Sequence, residues 1–202
     1  MIKETCCHSL QSVRDAVARG TSRIELCENL SIGGTTPSRA LIEETLTIAS
    51  GTPVNVLIRP RGGNFVYSPS EIDTMLESIE MCRETGVNGV VIGALLPDGN
   101  VDKDTTRVLL DAARPLHVTF HRAIDEASDY FTAIEDVISL GIERILTSGH
   151  SPDAFQGRFI LQRAVKQAAG RTIIMPGCGI TPQNLQEIAR VTMAEEFHGS
   201  RI

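Results

Sequence analysis

The sequence repeats one pattern along its whole length: a short apolar run is followed by a longer stretch with helical periodicity. The short runs predict buried strands, and the periodic stretches predict amphipathic helices. Strict alternation of the two is typical of a parallel sheet, because parallel strands are joined by helical crossovers. We predict eight strands, at Ile2–Cys6, Arg23–Cys27, Val54–Ile58, Gly89–Ile92, Leu116–Phe120, Arg144–Thr147, Thr172–Met175 and Glu195–His198.

Eight strand–helix repeats favour a closed (β/α)8 TIM barrel, with residues 1–202 forming a single domain near the lower size limit of that fold. The alternative is an open doubly wound sheet. Such a sheet often carries a GxGxxG motif after its first strand, and this chain has none there.

The chain stops at Gly199-Ser200-Arg201-Ile202, directly after the eighth strand. The eighth helix is therefore predicted to be missing or incomplete, which leaves an apolar strip beside the last and first strands. A strip of that kind is typical of an interface, so we predict a homodimer.

Composition narrows the class of protein. Hydrophobic residues make up 42% of the chain and charged residues 22%, as in soluble globular proteins. No apolar run has membrane-spanning length and no secretion signal opens the chain, so we expect a cytoplasmic protein without a membrane partner. A net charge of −6 with scattered basic residues argues against a nucleic-acid partner.

Alternate residues of a strand face the same side of the sheet, and many of the residues that we predict to face the barrel interior are polar. Barrel interiors are normally filled by branched apolar side chains, and a buried charge must pair or meet a ligand. Either the charges form an ion-pair network, or they build a site at the carboxyl-terminal mouth of the barrel. Their position at strand ends favours the site. The charged inward set is Glu4, Arg23, Glu25, Arg59, Arg61, Arg144 and Glu196.

The segment RPRGG after the third strand suggests that this site binds an anion. Arg59 and Arg61 each offer a planar fork that matches a carboxylate or phosphate. The glycine-rich PGCGITP after the seventh strand is a second element that suits an anion. The predicted anion-binding residues are Arg59, Arg61, Arg144, Ser148, Gly177, Gly179 and His198. If the protein is an enzyme, Glu25 and His121 suit proton transfer beside an anion held by the two arginines.

Five segments resemble the copper homeostasis protein CutC family: RIELCENLSIGGTTPS, IRPRGGNFVY, VTFHRAID, RILTSG and IIMPGCGI. They occur in the family's order, and the resemblance extends along nearly the full length of the chain. The resemblance implies a cytoplasmic (β/α)8 barrel, often dimeric, with a role in copper homeostasis and Cu(I) binding.

The cysteines test that implication, because Cu(I) prefers thiolate ligands. Cys6 and Cys27 have the same inward parity at the ends of adjacent strands, so two thiolates are expected to meet at the mouth. The other polar groups are hard ligands that suit an organic anion better than Cu(I). Two interpretations therefore stand: a copper-binding protein using Cys6 and Cys27, or a barrel enzyme acting on a small phosphate- or carboxylate-bearing molecule.

Overall fold

A computed structural model describes residues 1–202 and confirms the (β/α)8 barrel. Each end of every strand lies within one residue of its predicted position. The strands are β1 (Ile2–Cys7), β2 (Arg23–Leu26), β3 (Val54–Leu57), β4 (Gly89–Ile92), β5 (His117–Phe120), β6 (Arg144–Thr147), β7 (Ile173–Pro176) and β8 (Glu196–Gly199).

Seven α-helices follow the first seven strands, and none follows β8, as predicted. Ser9 and Ser68 cap the first and third helices with reciprocal capping boxes. No helix combines the length and the apolar character that crossing a bilayer requires. The helices are α1 (Leu10–Ala18), α2 (Arg39–Ala49), α3 (Pro69–Thr85), α4 (Lys103–Ala113), α5 (Tyr130–Ser139), α6 (Arg158–Ala168) and α7 (Leu185–Thr192).

All strand pairs are parallel, and the hydrogen-bonded order is β7-β6-β5-β4-β3-β2-β1-β8. The two end strands, β7 and β8, come together and close the barrel. The apolar core lies between the sheet and the helices and includes Ile24, Val56 and Ile92. The opposite faces of the strands, inside the barrel, are largely polar, as the sequence predicts.

The charges at the amino-terminal end of the barrel pair with one another. Arg23 donates hydrogen bonds to Glu4 and to Glu196, the latter at 2.6 Å. Arg144 donates to both oxygens of Glu196, at 2.6 and 3.2 Å, and Asn55 donates to Glu4 at 3.2 Å. An ion-pair network therefore fills the amino-terminal end of the barrel interior.

Arg144 needs a correction, because we assigned it to an anion site at the mouth. It is the first residue of β6 and so lies at the amino-terminal end, opposite the mouth. Its guanidinium is buried and already bonded to Glu196 and to Thr119. Strand parity places this side chain inside the barrel but does not give its depth.

Candidate functional site

A cavity of about 890 Å³ opens at the carboxyl-terminal mouth of the barrel. We call it the mouth cavity. Its titratable lining comes from the carboxyl-terminal parts of strands and from the loops that follow them, where barrel enzymes carry their active sites. Among its lining residues are Cys6, Glu25, Cys27, Arg59, His121 and His198.

Two buried thiols meet in the mouth cavity. Cys6 of β1 lies opposite Glu25 of β2, so Cys27 is its diagonal neighbour on the same face of the sheet. The sulfur atoms of Cys6 and Cys27 are 3.9 Å apart. The hydrogen bond with Cys27, then burial and the charge of Glu25, raise the pKa of the Cys6 thiol well above its ordinary value.

Beside the thiols, the buried Glu25 and the largely buried His198 form an ion pair, with Nε2 of His198 2.6 Å from a carboxylate oxygen of Glu25. Burial opposes charge on both groups, but their mutual attraction and hydrogen bond outweigh it. The pKa of Glu25 is consequently lowered and that of His198 raised. A sulfur of Cys6, an oxygen of Glu25 and a ring nitrogen of His198 all lie within 4.8 Å of one another. These three atoms form a group able to hold a metal ion.

His121 follows β5 and is held in one orientation. Its Nδ1 accepts a hydrogen bond from the amide of Ala123 at 3.1 Å. The same edge of the ring lies against Gly93, where an added Cβ would be 2.5 Å from Nδ1. Nδ1 is thus the acceptor and Nε2 carries the proton. Burial, followed by the charge of Arg59, lowers the pKa of His121 to about 3.

This geometry changes the role we predicted for His121. A neutral ring whose acceptor nitrogen is already bonded is a hydrogen-bond donor rather than a base. Its Nε2 is buried and has no hydrogen-bond partner within the protein.

Arg59 lies in the same cavity, and its guanidinium holds the two loops that follow β2 and β3. Its terminal nitrogens donate to the carbonyls of Ile32, Gly34 and Gly63, at 3.2, 3.0 and 2.7 Å. The guanidinium carbon lies 4.8 Å from the centre of the Phe65 ring. Nε is buried and has no partner within the protein.

Arg61 does not join Arg59, which corrects the prediction that both face inward. Regular extended structure ends at Leu57 and the chain bends at Pro60, so the alternation of sides is lost. Arg61 instead pairs with Glu71 at 2.5 Å and donates to the carbonyls of Asn64 and Val66. It stabilises its own loop and lies outside the mouth cavity.

Three other residues that we predicted to bind an anion lie in different places relative to the cavity. Gly179 lines the cavity. Ser148 is fully buried outside the lining, where its hydroxyl donates to the carbonyl of Ser151 at 2.6 Å. At Gly177 an added Cβ would collide with Leu146 of β6 and lie 3.3 Å from the Cβ of His198 of β8, so this glycine, directly after β7, permits close packing against both neighbouring strands.

Asp125 connects two loops at the mouth, and we did not predict this role from the sequence. It lies in a short 3-10 helix, Arg122–Glu126, and accepts hydrogen bonds from the hydroxyl of Thr147 at 2.6 Å and the amides of Ser148 and His150. These bonds join the loop after β5 to the loop after β6. The signal was present as the acidic residue in HRAID, the stretch that starts at His121.

Comparison with known proteins shows which protein family the chain is similar to. The CutC family model matches residues 1–202. A CutC family protein of Parabacteroides distasonis is 48% identical, over 98% of this chain and 82% of its own length. The human copper homeostasis protein cutC homolog is 45% identical, over 98% of this chain and 72% of its own length. A solved CutC structure from Streptococcus agalactiae superposes with a TM-score of 0.95 at 35% identity, covering 100% of this chain and 99% of that one.

Proposed function

The chain belongs to the CutC family, and from this premise we propose that it acts in copper homeostasis by binding Cu(I) at Cys6 and Cys27. The observation that carries the proposal is the pair of buried sulfur atoms 3.9 Å apart. Thiolates are the ligands that Cu(I) prefers, and two of them at the carboxyl ends of neighbouring strands form a preorganised site.

The charges of the cavity support this proposal, although arginine and a metal cation repel each other. Cu(I) held by two thiolates forms a complex with a net negative charge, because binding releases the thiol protons. Arg59 and His198 line the same cavity and offer positive charge to such a complex. Glu25 and His198 supply harder donor atoms close to Cys6.

The experiment is a competition titration of the reduced protein with Cu(I) and a chromogenic chelator under anaerobic conditions. We expect tight binding of one Cu(I) ion, and loss of that binding in the Cys6→Ser, Cys27→Ser double variant. Cys178→Ser is the matched control, because Cys178 also lines the cavity and its sulfur bonds only to the carbonyl of Pro152. Unchanged affinity in the double variant, with the fold retained by circular dichroism, would contradict the proposal.

A second candidate function is supported by the size of the mouth cavity. A volume of about 890 Å³ far exceeds the space of a metal ion and falls in the range of small-molecule sites. The candidate is an enzyme acting on a small anionic molecule, with the Glu25–His198 pair moving a proton. Incubation with carboxylates and phosphorylated metabolites, followed by NMR of the small molecules, tests it: turnover that requires Glu25 supports it, and binding without turnover contradicts it.

A cytoplasmic homodimer remains a prediction from the sequence, since the structure describes one chain.

A further inference from the structure

Arg59 carries a positive charge and forms no salt bridge with an acidic group of the protein. Its side chain is buried, with 6% of the residue's surface exposed. Its hydrogen bonds go to backbone carbonyls, which satisfy donors but carry no net charge. The other cations inside the barrel each pair with a carboxylate: Arg23 and Arg144 with Glu196, and His198 with Glu25. A buried charge without a partner is unfavourable, so a ligand anion would stabilise this one.

His121 supplies a second unused donor in the same cavity. It is 4% exposed, and its Nδ1 is occupied by the Ala123 amide, which leaves the Nε2–H group for a ligand. Buried donors are nearly always paired, so two unpaired ones on residues that line the same cavity point to a binding site. The packing of its ring against Gly93 fixes the position of this donor.

The two donors share one apolar wall. The Phe65 ring centre lies 4.9 Å from the His121 ring centre and 4.8 Å from the guanidinium carbon of Arg59. All three side chains line the mouth cavity. A ligand that lies along Phe65 would therefore lie beside both residues that carry the unpaired donors.

From this arrangement we propose that the mouth cavity contains a subsite for a small organic carboxylate, formed by Arg59, His121 and Phe65. The carboxylate accepts from Nε–H of Arg59 and balances its charge. A second oxygen of the ligand, a hydroxyl or carbonyl, accepts from Nε2–H of His121. One cation and one neutral donor match a single negative charge better than a phosphate dianion, which needs more donors.

This subsite goes beyond copper binding. It rests on the second candidate function in one respect: it names the class of ligand that such an enzyme would bind. The subsite itself requires only that a carboxylate binds, whether or not it is turned over. The copper ligands are Cys6 and Cys27, so carboxylate binding is expected to persist in the Cys6→Ser, Cys27→Ser variant. Failure of either function can thus be recognised separately from failure of the subsite.

The experiment is calorimetric titration of the full, copper-free chain with pyruvate, glycolate, L-malate and inorganic phosphate, each at millimolar concentration. We expect at least one carboxylate to bind and phosphate to bind more weakly. His121→Asn removes the Nε2 donor while its side-chain oxygen can still accept from the Ala123 amide, and it should weaken carboxylate binding about tenfold. His117→Asn is the matched control, because His117 is exposed at the other end of the same strand.

Several outcomes would overturn the proposal. Absence of heat and of a thermal shift with every carboxylate would remove the subsite. Equal affinity in His121→Asn and the native chain would show that the donor is not used, and tighter binding of phosphate would assign the cavity to another anion. Arg59→Lys provides a second variant that keeps the charge but removes the Nε donor, and it should weaken the same ligand if it folds.

Discussion

The ion-pair network at the amino-terminal end of the barrel predicts a large effect for one conservative substitution, Glu196→Gln. Glu196 accepts hydrogen bonds from Arg23 at 2.6 Å and from Arg144 at 2.6 and 3.2 Å. Glutamine keeps the volume but has one acceptor oxygen and no charge, so Glu4 alone remains to balance two guanidinium groups. Removing one member of a buried ion pair costs about 3–5 kcal/mol. That is a large fraction of the roughly 5–15 kcal/mol by which a domain is stable.

The assay is urea unfolding followed by circular dichroism, with the free energy of unfolding compared between the two proteins. Glu143→Gln is the control, because Glu143 pairs with His117 at the surface and should lose at most about 1 kcal/mol.

The pH dependence gives an independent check on Glu196. Burial opposes its ionisation, but the hydrogen bonds and charges of Arg144 and Arg23 prevail and lower the pKa of Glu196. A carboxylate with a lowered folded-state pKa contributes stability above its unfolded pKa of about 4.3 and loses it as the pH falls through the folded-state value. The native chain and Glu196→Gln should therefore converge in stability in acid. A difference below about 1 kcal/mol at neutral pH, or one that persists undiminished in acid, would refute this account of the network.

Two further substitutions test the mouth cavity. Gly93→Ala would place a Cβ 2.5 Å from Nδ1 and 2.6 Å from Cε1 of His121, so we expect a loss of about 1–3 kcal/mol and shifted ring signals of that histidine in NMR spectra. Unchanged ring signals would show that Gly93 does not position the ring. Arg61→Ala removes a half-exposed ion pair with Glu71, so we expect at most about 1 kcal/mol of destabilisation. Protease cleavage after β3 should become faster while carboxylate affinity is kept; loss of that affinity would place Arg61 in the cavity after all.

The sequence was sufficient to predict contacts between strands that follow one another along the chain. Cys6 and Cys27 meet because β1 and β2 are adjacent, and alternation alone puts both thiols on one face. The pairing of Glu25 with His198 was not predicted, because it depends on the closure of the barrel, which brings β8 beside β1. Local pattern contains no information about that closure beyond the number of strands.

Depth and backbone direction account for the remaining differences. Alternation assigns Arg144 to the interior, and its predicted place as the first residue of the sixth strand already put it far from the mouth, so our assignment to the anion site overlooked its depth. Alternation gave the wrong side for Arg61, because the chain bends at Pro60 and is no longer a regular strand there. The tautomer of His121 depends on the Ala123 amide and the position of its ring on Gly93, directly after β4, and both contacts exist only in the folded chain.

The hydrogen bonds of Arg59 have a consequence for motion at the mouth. One guanidinium binds Ile32 and Gly34 in the loop after β2, and Gly63 in the loop after β3. Arg59 belongs to the loop after β3, so the loop after β2 cannot move away from it without breaking the bonds to Ile32 and Gly34. Separation of the two loops should therefore require both bonds to break, and the amide protons that this opening exposes should show a common free energy of opening in hydrogen exchange. The rim of the barrel would then have two states, closed and open, and the hydrogen bonds of Arg59 would stabilise the closed state.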